Sequence, residues 1–162
     1  MKQIVLSLLV DNNPGVLARV ASLFSRRGYN IDTITAGATS DPRYTRITVT
    51  VSGDDRILEQ IRNQIAKLED VRRIIELYDK ESVCRELVLV KVMADRTEKQ
   101  DIIAIADVFR AKIVDVSVNS LIIELTGNQN KLDAFLNLMK DFEILELVRT
   151  GITGLARGMD TL

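Results

Sequence analysis

The segment Asp11-Asn12-Asn13-Pro14-Gly15-Val16-Leu17 limits what this chain can become more than any other stretch. Before it, residues 4–10 form an apolar run of strand length, rich in β-branched side chains. After it, Leu17, Val20, Ala21 and Phe24 recur at helical spacing and mark one apolar helix face. The segment reads as a tight strand-to-helix turn. Pro14 suits the first helical position, where its missing N–H has no partner to lose, and this puts Asn13 at the N-cap. Gly15 places no side chain in front of the first turn. The result is a row of backbone N–H groups at a positive helix end, a seat for a small anion such as a carboxylate. The same residues also suit a helix start with no ligand, since Asn-Pro-Gly turns are common.

The helix runs to about Arg27 and stops at Gly28, with Arg26 and Arg27 suited to its negative end. Residues 31–38 read as a second strand and Ser40-Asp41-Pro42 as a turn. Residues 44–51 alternate, with Thr45, Ile47, Val49 and Val51 on one face of a half-buried third strand. Ser52-Gly53-Asp54 is a turn and cap. Ile57, Ile61, Ile65 and Leu68 mark a second helix, and residues 71–78 a fourth strand. The order β-α-β-β-α-β is the ferredoxin-like arrangement, an antiparallel sheet with both helices on one face. The other face must be covered or polar, and an exposed edge at the second strand invites pairing with a second copy.

Residues 79–85 read as a polar linker, after which the pattern starts over. Residues 86–93, 113–118, 121–125 and 144–149 are strand-like, with Asn119-Ser120 as a hairpin turn. Ile102, Ile105, Ala106 and Phe109 mark one helix face, and Leu132, Phe135, Leu136 and Met139 another. The fold class is therefore α+β, with two tandem ferredoxin-like domains: residues 1–78, a linker at 79–85, and residues 86–162. Each holds about 75 residues, small for a lone stable core, so packing on each other or on a second chain is expected. The tail 151–162 carries three glycines and no periodicity.

Few classes of chemistry survive the composition. Histidine is absent, which removes the commonest acid/base group and metal ligand. The single cysteine, Cys84, allows no internal disulfide and no cysteine-based zinc site. With 22 basic and 23 acidic residues, nothing suggests a nucleic-acid or membrane surface. No apolar run approaches the roughly twenty residues that span a bilayer, and no signal or transit segment precedes the first strand. A reduced, cytoplasmic setting is the expectation. Arg43 and Arg46, among neighbouring acids, read as a surface face; Arg72 and Arg73 alternate with Val71 and Ile74, which puts at least one of them on the wet face of a strand. Gly151, Gly154 and Gly158 lack phosphate-loop spacing. Asn30, between a helix end and a strand, is either a turn residue or an amide aimed at a ligand.

The stretch 11–17, followed by Leu23-Phe24-Ser25-Arg26-Arg27-Gly28-Tyr29-Asn30-Ile31, strongly resembles the ACT domain of the acetolactate synthase small subunits. The likeness continues through Thr39-Ser40-Asp41-Pro42, Arg46-Ile47-Thr48-Val49 and Leu58-Glu59-Gln60-Ile61. It resumes at Arg85-Glu86-Leu87, Leu89-Val90-Lys91-Val92, Ile113-Val114-Asp115-Val116 and Lys131-Leu132-Asp133-Ala134-Phe135, and ends with Arg149-Thr150-Gly151 and Gly154-Leu155-Ala156-Arg157-Gly158. The resemblance implies a non-catalytic regulatory subunit with no cofactor of its own. Its partner would be the large catalytic subunit, which carries thiamine diphosphate, Mg²⁺ and FAD. It would raise that subunit's activity and confer feedback inhibition by valine. It also implies a homodimer through the ACT domain, with the effector between two chains: Asn12, Gly15, Val16 and Leu17 from one, Asn30 and Ile31 from the other. Asp11 stands where relatives often have glutamate. The alternatives are an amino-acid sensor acting on another target, and a small enzyme on a ferredoxin-like scaffold. The absence of histidine and of any paired nucleophile argues against the second.

Overall fold

The computed structural model describes all 162 residues. Two compact units emerge: Met1–Cys84 together with Gly151–Leu162, and Arg85–Thr150. No helix is long and apolar enough to cross a membrane.

The first unit runs β1 (Lys2–Asp11), α1 (Val16–Arg27), β2 (Thr33–Ala38), β3 (Tyr44–Gly53), α2 (Asp55–Ala66) and β4 (Val71–Glu76). Its antiparallel sheet has the order β2-β3-β1-β4, so β2 is an edge strand. Alternation decides the core: Ile4, Leu6, Leu8 and Val10 of β1 and Ile47, Val49 and Val51 of β3 point together at the helices and are buried. From α1 the buried residues are Val16, Val20 and Phe24. The helix face is thus turned relative to the sequence reading, and Leu17 is left 48% exposed. From α2 they are Leu58, Ile61 and Ile65, with Ile57 and Leu68 half-buried at the margin. Asp54 caps α2 as expected, its side chain accepting from Ile57 N–H at 2.8 Å.

The other face of this sheet is not simply polar and wet. Ser7, Thr48 and Thr50 are buried there. The tail 151–162, expected with the second domain, returns to this unit. Thr35 Oγ1 donates to Ile152 O at 3.4 Å, and Arg46 Nη2 donates to Gly154 O at 2.9 Å. Its short strand approaches Val83 and Cys84 so closely that a Cβ on Gly154 would lie 2.7 Å from both Val83 O and Cys84 Sγ. Only glycine fits there.

The second unit repeats the order with β5 (Ser82–Met93), α3 (Arg96–Phe109), β6 (Lys112–Val116), β7 (Ser120–Gly127), α4 (Gln129–Met139) and β8 (Ile144–Arg149), in sheet order β6-β7-β5-β8. The expected linker is mostly strand: β5 begins at Ser82, and β9 (Thr153–Ala156) pairs with it. The hairpin turn falls at Val118-Asn119, one residue earlier than the sequence reading, closed by Ser117 N–H to Ser120 O at 2.9 Å. Val88, Val90 and Val92 of β5 and Leu121, Ile123 and Leu125 of β7 meet Ile102, Ala106, Leu132, Phe135 and Met139 of the helices. Phe109 packs edge-on to Phe135 with ring centroids 5.4 Å apart. Glu86 is buried and held side-on by Arg149, with both N···O distances 2.9 Å.

Candidate functional site

The turn between β1 and α1 is built around Gly15. Its φ of +84° is left-handed, a region costly for residues with a Cβ, so glycine is what the turn requires. Gly15 takes the N-cap position of α1, and no side chain caps the helix. The sequence reading differs in detail: Asn13 does not cap, and Pro14 lies ahead of the helix. Pro14 cannot be the first helical residue because the chain must first turn through Gly15. Asn13 instead offers its carbonyl to Val16 N–H at 3.4 Å, and the first helical bond runs from Arg19 N–H to Gly15 O at 3.0 Å. The N–H groups of Leu17 and Ala18 lie in the first turn, where a helix supplies no acceptor. The open positive end anticipated from the sequence is present, displaced by one or two residues.

Two side-on ion pairs frame this end. Arg19, on the first turn, grips Asp70 at 2.6 Å and 3.1 Å. Arg72 grips Asp11 at 2.7 Å and 2.5 Å. Hydrogen bonding from Arg72 holds the Asp11 carboxyl below its ordinary range despite some desolvation, and Asp70 correspondingly raises Arg19. Asp11 N–H also donates to Asp70 O at 2.9 Å, so β1 and the entry to β4 are locked together here. Both acids are neutralised by these arginines, which leaves the helix amides as the attraction for an anion. The sequence reading puts at least one of Arg72 and Arg73 on a strand's wet face and does not single out Arg19. The available signal was an acid and a base flanking Val71, beside the end of the first strand.

Asn12 is built into the turn. Its Nδ2 donates to Pro42 O at 3.0 Å, and its Oδ1 accepts from Thr45 Oγ1 at 3.2 Å, keeping one lone pair for another donor. Asn30 is exposed and donates from Nδ2 to Asp32 Oδ1 at 3.0 Å, which leaves its own carbonyl available. Partial burial pushes the Asp32 carboxyl up, but hydrogen bonds from Ser52, Gln3 and Asn30 together hold it below its ordinary range. Ile31 is half-buried against the core.

The structure does not bring these residues into one place within a single chain. Asn12, Gly15, Val16 and Leu17 cluster at one end of the sheet. Asn30 and Ile31 lie at the other, since Asn12 meets Thr45 whereas Asp32 N–H bonds to Thr50 O. Five steps along β3 span about 17 Å. The exposed aliphatic side chains Leu17 and Ile34 lie on α1 and on the edge strand β2. No group of three or more His, Cys, Asp or Glu side chains is arranged to hold a metal ion.

Residues 6–73 match a family model described as an AHAS small subunit-like ACT domain, and residues 85–158 one described as the small subunit of acetolactate synthase. The chain is 48% identical over 159 residues to a probable acetolactate synthase small subunit of Methanothermobacter thermautotrophicus, covering 98% of this chain and 95% of that one. It is 48% identical over 153 residues to the acetolactate synthase small subunit of Mycolicibacterium smegmatis, covering 94% and 90%. Among solved structures, the acetolactate synthase small subunit of Thermotoga maritima superposes with a TM-score of 0.89 at 41% identity, over 98% of this chain and 99% of that one. In sequence and in fold, over nearly its full length, the chain belongs to the family of acetolactate synthase small subunits, regulatory proteins with an N-terminal ACT domain.

Proposed function

We propose that this chain activates the large catalytic subunit of acetolactate synthase and makes it sensitive to feedback inhibition by valine. The observation that carries the reading is the uncapped start of α1 behind a left-handed Gly15. The valine carboxylate would take the first-turn amides, around Gly15, Val16 and Leu17. The ammonium would be accepted by the side-chain carbonyls of Asn12 and of Asn30 from a second copy. Leu17 and Ile31 would wall the branched side chain. Such contacts need supply only about 4 to 8 kcal/mol for millimolar to micromolar affinity.

A second copy is required because Asn30 lies too far from Gly15 within one chain. Pairing across a two-fold axis at the β2 edge reverses one sheet relative to the other, and so brings opposite ends together. Ligand affinity and dimer geometry are then coupled, and that coupling is the route by which valine is felt by the catalytic subunit. Thiamine diphosphate, Mg²⁺ and FAD belong to that partner in this reading, and the complex works in the cytoplasm.

Calorimetric titration of the purified chain with valine, leucine and isoleucine tests the reading. Saturable valine binding at two symmetry-related sites per dimer, one per chain, together with co-purification of a much larger thiamine-diphosphate enzyme, is expected. A chain that binds none of the three, or that captures an unrelated target, contradicts it.

A further inference from the structure

Arg46 is not the surface residue its sequence context suggests. It is half-buried on the tail-covered face of the first unit's sheet, and desolvation lowers its pKa. It lines a crevice of about 620 Å³ whose walls include Leu9, Tyr44, Ile75 and Leu155, with Asp41 and Asp160 also in the lining. Four other arginines show what the Nε/Nη2 edge of a guanidinium takes in this protein. Arg19, Arg43, Arg72 and Arg149 each hold a carboxylate side-on through it. In Arg46 that edge is half used: Nη2 donates to Gly154 O at 2.9 Å, and Nε is buried with no partner. A buried charged donor left unpaired is costly, and an incoming acid would remove the deficit.

We propose that this crevice is a binding site, separate from the start of α1, for a monocarboxylate with an apolar body, its acid held by Arg46. The volume is in the range of ligand clefts, and the aliphatic walls suit an apolar body. The charge sets the valence. Asp41 is taken side-on by Arg43, at 2.6 Å for the shorter contact, which leaves Asp160 as the other acid in a lining that holds one arginine, Arg46. One guanidinium beside an acid favours a single negative charge over the several of a nucleoside phosphate. Since Nε is closed off and Nη2 holds β9, the acid reaches that edge only by displacing Gly154 O. Ligand and tail strand therefore compete for the same donors.

Nitrogen-15 NMR of the full chain tests this, following the Arg46 Nε–H and backbone amide signals. Hexanoate is the probe, leucine a probe that adds an ammonium, and inorganic phosphate an anion without an apolar body. Hexanoate is expected to displace the Arg46 Nε–H signal saturably, with half-saturation below about 10 mM, together with the amides of residues 38–44 and 153–156. Arg46→Gln should abolish the effect. Ile75→Glu, which leaves Arg46 in place, should weaken it at least tenfold even if the first variant fails to fold. Leucine moving the same signals extends the ligand class to amino acids; leucine leaving them unmoved restricts it to acids without an ammonium. Valine binding at the start of α1 would be read separately from residues 15–17 and 30–31, so either site can fail alone. No saturable shift at Arg46 with hexanoate, or an equal shift with phosphate, overturns the proposal.

Discussion

At the start of α3, the Asp95 side chain accepts from Thr97 N–H and Glu98 N–H at 2.8 Å each, and Glu98 reaches back to Asp95 N–H at 2.9 Å. At the start of α1, the same corner of the same topology holds Gly15 and no capping side chain at all. The two units share an order of strands and helices, and each buries its sheet beneath two helices. They differ in what their first helix does with its orphan amides. In the second unit the amides are satisfied internally and faced by two carboxylates, so an anion is repelled. In the first those of Leu17 and Ala18 meet no cap, and the nearby acids Asp11 and Asp70 are each tied to an arginine. A ferredoxin-like fold thus becomes a candidate sensor through one helix end, while its sibling keeps the helix end closed.

The contrast can be broken from either side. The largest effect is expected from Arg149→Leu, which strands the buried Glu86 carboxylate. It should cost about 3 kcal/mol of stability by denaturant unfolding and leave valine affinity unchanged. Gly15→Asp would set a carboxylate ahead of the first turn of α1, at a left-handed φ that favours glycine. Valine affinity by calorimetry should fall at least about a hundredfold, or about 2.7 kcal/mol, with activation of the catalytic subunit largely kept. Asn30→Ala, which would remove the ammonium acceptor proposed to reach across the seam, should weaken valine by about tenfold. Asp95→Ala opens the closed helix end. It should lower stability by about 1 kcal/mol and create no valine site, because Arg110, Ala111 and Lys112, from the end of α3 to the start of β6, include no amide side chain to match Asn30.

A smaller effect is expected in acid. Arg43 holds the Asp41 carboxyl down to about 2 from 3.8. A carboxyl depressed in the folded state adds stability that is whole above its unfolded value and is lost as pH falls through the folded one. The contribution of this exposed pair should therefore fade between pH 3.8 and 2, and Arg43→Ala should flatten that part of the stability profile. Urea unfolding of both proteins at several acid pH values would show the difference.

Both ferredoxin-like units were legible because their elements obey simple periods. Alternation in residues 45–51 placed Ile47, Val49 and Val51 in the core, and Asp54 was readable as a cap. The open helix end was legible in Pro14-Gly15, but its register was not. A left-handed glycine ahead of the helix moves the cap from Asn13 to Gly15 and turns the buried face from Leu17 to Val16. Contacts distant in sequence left no local signal. The tail returns to the first unit through Thr35 and Arg46, and Arg46 looked like surface because the covering strand lies more than a hundred residues away. The pairing of Arg19 with Asp70 was hidden for the same reason, being 51 residues apart. The capping box Asp95-Arg96-Thr97-Glu98 was written locally, as an acid three residues before a glutamate, and could have been read directly.

A crystal structure of the chain grown with saturating valine tests the central claim most directly. The expected result is a dimer with valine at the seam, its carboxylate against the first-turn amides behind Gly15 of one chain and its ammonium near Asn30 of the other. Valine absent from that crevice, or a chain that remains single with the effector bound elsewhere, would contradict it.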